Sequence, residues 1–124
     1  MIPKFRAYLK KHEKVVDVRE IDYRCNCIIW MNEKYTEIEG FEDIELLQPT
    51  GLKDKNGVEI FEGDVVKTKY GEHGRHIGVV KYGGAKFYSE GVKQYLSWHE
   101  DLNGLFEIIG NKFEHKELLE YDSE

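Results

Sequence analysis

Short apolar runs, broken by Gly, Asn and Asp, fill the chain from Gly51 to Asn111. Glu59-Ile-Phe-Glu-Gly-Asp-Val-Val66, Ile77-Gly-Val-Val-Lys-Tyr82 and Leu105-Phe-Glu-Ile-Ile-Gly-Asn111 have the length and punctuation of strands rather than helices. The pattern predicts five strands, at 64–70, 76–82, 85–89, 93–98 and 105–110. Asp54-Lys-Asn-Gly57 supplies the Asn-Gly pair of a tight turn. In Glu62-Gly-Asp64, Gly63 permits a φ that other residues avoid, and Asp64 can accept nearby backbone N–H groups. Gly71-Glu-His-Gly-Arg75 reads as a long hairpin loop, Gly83-Gly84 as a two-residue turn and Glu100-Asp-Leu-Asn-Gly104 as a single 3-10 turn. That order of loops and hairpins predicts an SH3-like small barrel with Val66, Val79, Phe87, Leu96, Trp98, Phe106 and Ile108 in its core.

The first half carries the same strand signal less regularly. Phe5, Ala7 and Leu9 alternate, Lys10 to Lys14 form a polar turn, and Val15 to Tyr23 give a second strand. The apolar spacing slips between Val18 and Ile21, which predicts a bulge or a break. Cys25 to Met31 form a third strand, with Cys25 and Cys27 on one face. A strand or irregular stretch runs to Gly40, and a short strand covers Ile44 to Gln48. After Asn111, Glu114 to Tyr121 predict a short helix with Leu118 and Leu119 turned inward, and the last three residues fray. The expected architecture is therefore mainly β. Residues 1–49 form an N-terminal β-hairpin and strand extension packed on an SH3-like barrel with a short C-terminal helix at 50–124.

Composition narrows the function classes. The chain has 124 residues, a net charge of −6, and 8 Tyr, 6 Phe and 2 Trp, which is not a disordered composition. An acidic total argues against a general nucleic-acid binder, which needs clustered Lys and Arg. No apolar run approaches the roughly 20 residues that span a bilayer, and no leader pattern is present, so the cytoplasm is the expected compartment. Two Cys make neither a disulfide framework nor a metal set. The acidic stretch with Glu37, Glu39, Glu42, Asp43 and Glu45 lacks a His or Lys partner in any catalytic arrangement and reads as a solvated face. His73 and His76 share a Gly-rich loop that does not fix metal geometry.

Against the acidic background, residues 67–93 are locally basic. Lys67, Lys69, Tyr70, Arg75, His76, Tyr82, Tyr88 and Tyr95 form the candidate binding face; the competing explanation is Lys placed to protect edge strands. No nucleophile–base pair, phosphate loop or complete ligand set is legible, so no catalytic, cofactor-binding or metal residue is assigned and the chain is not expected to be an enzyme. An apolar N-terminal hairpin with open edges suggests a homo-oligomer.

Ile2-Pro-Lys-Phe-Arg-Ala-Tyr8, the run from Gln48 through Thr50-Gly-Leu-Lys-Asp-Lys-Asn-Gly57, Ile60-Phe-Glu-Gly-Asp-Val-Val66 and Glu107-Ile-Ile-Gly-Asn-Lys-Phe-Glu114 together resemble the YopX family. The similarity spans nearly the whole chain and is weakest at 25–40 and 71–76. It implies a predominantly β protein of phage or prophage origin acting in the bacterial host cytoplasm, and supplies no catalytic residues. The expected function is a non-catalytic accessory module that binds host or phage proteins or itself. The alternative is nucleic-acid association through residues 67–93. The Thr50–Gly57 run also has a purely structural reading, since its residues are mostly turn formers.

Overall fold

In a computed structural model the described residues are 4–71 and 74–119. Strand accounts for 57% of the structure, and the chain divides into two units between Pro49 and Thr50.

The first unit holds two small antiparallel sheets. β1 (Arg6–Leu9) lies between β2 (Lys14–Asp17) and β6 (Ile44–Leu47). β4 (Cys27–Met31) lies between β3 (Glu20–Asp22) and β5 (Thr36–Gly40). The predicted second strand thus divides where its spacing slips, and the chain changes sheet between Asp17 and Glu20. Alternate residues of β1 and β4 point inward, so Ala7, Leu9, Ile28, Trp30 and Ile44 form the core. Cys25 is exposed in the turn before β4 whereas Cys27 is buried, so the two thiols do not share a strand face.

The second unit begins with β7 (Pro49–Lys53) paired to β8 (Glu59–Phe61). A five-stranded antiparallel sheet follows in the order β12-β11-β10-β9-β13, built from β9 (Asp64–Gly71), β10 (Gly74–Gly83), β11 (Lys86–Gly91), β12 (His99–Asp101) and β13 (Glu107–Asn111). Its core is Ile60, Val66, Val80 and Phe106, with Phe87, Leu102 and Ile108 packed against it. At Gly63, φ is +90°, a conformation that places β9 directly after β8 and that a side chain rarely adopts. Asp64 Oδ2 accepts the Phe61 N–H at 2.8 Å and closes the same turn.

The turn run acts from a distance as well. Asp54 Oδ1 accepts the N–H groups of Asn56 and Val58, each at 2.9 Å, while Oδ2 accepts Ile108 N–H at 3.1 Å. Asp54 therefore shapes its own turn and ties it to the outer edge of β13. Burial raises its pKa, but the hydrogen bonds from Val58, Ile108 and Asn56, with Lys55 beside it, outweigh that and hold the carboxyl below its ordinary value.

Several expectations are corrected. Among the described residues no sheet closes into a barrel: β12 and β13 are the two edges of the five-stranded sheet and do not pair. The predicted strand at 93–98 is the reason. Lys93–Tyr95 form a 3-10 turn, and Lys93 and Ser97 take positive φ values of 55° and 74°, so only the three-residue β12 remains to follow β11. Leu96 and Trp98 consequently lie exposed instead of in the core. The C-terminal helix is absent too: among the described residues no helix reaches seven residues, and Lys116–Leu119 make one 3-10 turn. Asn111 Oδ1 accepts the N–H groups of Phe113 and Glu114, and His115 Nδ1 accepts that of Asn111, which fold the chain back before a longer helix starts. Residues 120–124, with the rest of the predicted helix and the fraying end, lie outside the described residues. Finally, the β10–β11 turn is Gly84–Ala85, both at positive φ, one residue later than predicted.

Candidate functional site

Period-2 alternation on β9 sends Val66 and Thr68 to the core and Lys67 and Lys69 to the opposite, exposed face. Register carries the pattern across the sheet. Lys67 sits opposite Ile77 of β10 on one side and Glu107 of β13 on the other. The pairing of β9 and β10 is irregular between Gly74 and His76, and Arg75 stands at that irregularity; a bulge of this kind re-aims the side chain it carries.

The result is a groove of about 390 Å³ on the outer face. Lys55, Lys67, Lys69 and Arg75 line it with Tyr70 and Glu107, and Ile77 and Leu105 add apolar surface. Glu107 bridges Lys55 at 3.1 Å and Lys67 at 4.0 Å. Among the described residues neither Lys69 nor Arg75 has an ion-pair partner, and four cations of the lining stand against the one carboxylate of Glu107. Tyr70 is 73% exposed beside these cations.

The other candidate residues fall elsewhere. Tyr82 packs on Phe87, ring centroids 4.8 Å apart. Tyr88 packs against His99 at 5.0 Å and lines a second hollow beside the β10–β11 turn, where Lys86 donates to Asp101 at 2.7 Å. Tyr95 is buried against His76 and Trp98. His73 lies outside the described residues. Of the eight candidates, four therefore converge on the groove.

His76 is fully buried, and its environment was not legible in the sequence. Its Nε2 shares a 2.9 Å hydrogen bond with Ser89 Oγ, and its ring meets Phe106 edge-on. Gly78 makes this pairing fit: a Cβ there would strike Ser89 Oγ and stand 2.7 Å from His76 Nε2. Glu100, also buried, lies opposite Ser89 on β12. Burial lowers the His76 pKa, and the Glu100 charge and the Ser89 hydrogen bond only partly offset that, which favours the neutral imidazole. A serine, a histidine and a carboxylate thus cluster, but Ser89 and His76 have no exposed surface and the pair as it stands offers no path to a substrate. Cys25, the exposed thiol, is pushed up by the Asp22 carboxylate beside it, away from the reactive thiolate. Among the described residues no group of His, Cys, Asp and Glu is arranged to hold a metal, and no helix is long and apolar enough to cross a membrane.

The chain is similar to known proteins along almost its whole length. The family described as YopX protein matches residues 4–120. Among solved structures, protein EF1440 from Enterococcus faecalis is 30% identical with a TM-score of 0.63, over 97% of this chain and 99% of that one. No curated protein matches.

Proposed function

The chain belongs to the YopX family of phage and prophage proteins, and from that premise we propose that it is a non-catalytic accessory module that binds a host or phage protein through the groove on the outer face of β9 and β10. The observation that carries this reading is the convergence of Lys67, Lys69, Arg75 and Tyr70 on one hollow, with Lys69 and Arg75 uncompensated among the described residues. Exposed cations beside apolar surface suit a partner that brings both charge and side-chain bulk. The bacterial host cytoplasm is the compartment in which such a partner is met.

The test is a photo-crosslinking side chain placed at Lys67, with the same group at exposed Glu33 as control, in cells that express the protein. A discrete protein adduct formed from position 67 and not from 33 is expected. Adducts at equal yield from both positions, or none, sink the reading.

Nucleic-acid association is the second reading, favoured by Tyr70 standing beside the cations. Scattering of Tyr82, Tyr88 and Tyr95 away from the groove weakens it, because single strands are held on successive stacking platforms. Self-association belongs to this proposal as well. β5 is an edge strand, and Met31, Tyr35 and Ile38 around it are exposed, a surface that pairing with a second copy would cover. Light scattering separates a dimer from the 14.6 kDa monomer.

A further inference from the structure

Within the groove the charges are not equivalent. Glu107 pairs with Lys55 at 3.1 Å and lies 4.0 Å from Lys67, so it offsets part of their charge on the β13 side. Lys69 and Arg75 stand apart from that carboxylate, on adjacent strands, with no ion-pair partner among the described residues. The guanidinium of Arg75 is a planar fork suited to a carboxylate. Ile77 and exposed Leu105 supply apolar surface in the same hollow. At about 390 Å³ the space is that of a short ligand segment, not of a long polyanion track. A nucleic acid extending past it would meet a chain whose total charge is −6.

We infer that the groove takes a short acidic and apolar segment of a partner protein, an Asp or Glu on Lys69 and Arg75 with a neighbouring aliphatic or aromatic side chain against Leu105 and Ile77. This rests on the reading of the groove as a protein-binding surface and names the chemistry of what enters it. Lys67 and Lys69 lie two residues apart on β9, about 6.6–6.8 Å along a strand, which matches alternate side chains of an extended peptide. Glu107 biases the site: it offsets part of the charge of Lys55 and Lys67, so acidic side chains are drawn more strongly toward Lys69 and Arg75.

The experiment measures binding by fluorescence anisotropy with three labelled probes of equal length: an alternating Asp–Leu peptide, an alternating Lys–Leu peptide and an oligothymidylate. The full chain and a Lys69→Glu, Arg75→Glu double variant are compared, with circular dichroism to verify that both are folded. The Asp–Leu peptide is expected to bind the full chain best and to bind the double variant about tenfold more weakly. The double variant should in turn gain affinity for the Lys–Leu peptide, a result that unfolding cannot produce. Raising salt from about 0.1 M to about 1 M, which shortens the screening length from about 10 Å to about 3 Å, weakens the first interaction. Tighter binding of oligothymidylate than of the Asp–Leu peptide overturns the inference in favour of nucleic acid. So does Asp–Leu binding that is equal in the full chain and the variant, or absent at millimolar peptide. If the peptides fail while position 67 still crosslinks to a protein, the protein-binding reading stands and only the acidic ligand is wrong.

Discussion

Thr68 and His76 face each other across β9 and β10 and are both buried, whereas Lys67 and Ile77, one step along each strand, face each other on the groove side. Inside, His76 meets Phe106, Tyr95 and Ser89 in a close-packed space; a methyl group at Gly78 has no room. The outer residues meet solvent and one carboxylate. Changes at Thr68 and His76 therefore act on stability, and changes at Lys67 and Lys69 act on what the molecule binds. The two are separable because alternate residues of one strand never share a face.

The comparison is broken most severely from the inside. Phe106 is fully buried, packs on His76 and belongs to the core of the second unit. Phe106→Ala is expected to cost about 3–5 kcal/mol, through lost transfer energy and the cavity left behind. Urea unfolding checks this; a loss below about 1 kcal/mol would mean that the inner face collapses easily and is not the tight surface its geometry describes.

Next in size is the turn that sets which residue of β9 faces which way. Gly63 has φ +90°, its N–H donates to Val80 O at 2.9 Å, and its carbonyl accepts from Lys112 N–H at 2.9 Å. Gly63→Val forces a β-branched residue into that conformation and is expected to cost about 1–3 kcal/mol. An unchanged melting temperature would count against the turn as the anchor of register.

How much of this was legible in the sequence follows from the same alternation. Val66 and Phe106 were readable as core, and Val79 as buried although it lies on the face of β10 opposite Val80, because apolar residues recur at strand spacing; the break after Val18 was readable as a slip in that spacing. His76 was misleading. The inward side of β10 reads His76, Gly78, Val80, and neither a polar imidazole next to Arg75 nor a residue without a side chain registers as a buried position. Leu96 and Trp98 misled in the other sense: apolar types at strand spacing lie exposed because Lys93 and Ser97 take left-handed backbone conformations that composition does not announce. In the groove, Lys67, Lys69 and Tyr70 are neighbours in sequence and were legible together. Lys55, Leu105 and Glu107 reach it only through sheet pairing and the Asp54 tether, for which no local signal exists.

A pH titration sharpens the inner face. His76 has its pKa lowered by burial; Glu100 opposes the shift and His99 adds to it. In the unfolded chain the imidazole gains a proton as pH falls below about 6.5, while in the folded protein it stays neutral until lower pH. The unfolded state then binds more protons, so this contribution is fully present above about 6.5 and is lost as pH falls toward the folded value. Urea midpoints for the full chain and for His76→Gln should converge as pH drops from about 7 to about 5. A constant gap over that range would show that His76 does not remain neutral inside.

The smallest effect is expected outside. Lys69 and Arg75 are exposed and have no ion-pair partner among the described residues, so among those residues no buried group depends on either. Removing both charges as Lys69→Gln, Arg75→Gln also relieves the mutual repulsion of like charges in one groove, a small gain against the small loss of side-chain packing. Stability should stay within about 0.5 kcal/mol of the unmodified chain, since surface changes away from caps, cores and strained backbone rarely exceed that. Binding should respond where stability does not: affinity for the Asp–Leu peptide falls while the urea midpoint holds. If instead the midpoint drops by as much as for Gly63→Val, the two cations hold the bulge in β10 and serve the fold, and the division of labour between the two faces of the sheet fails at its outer edge.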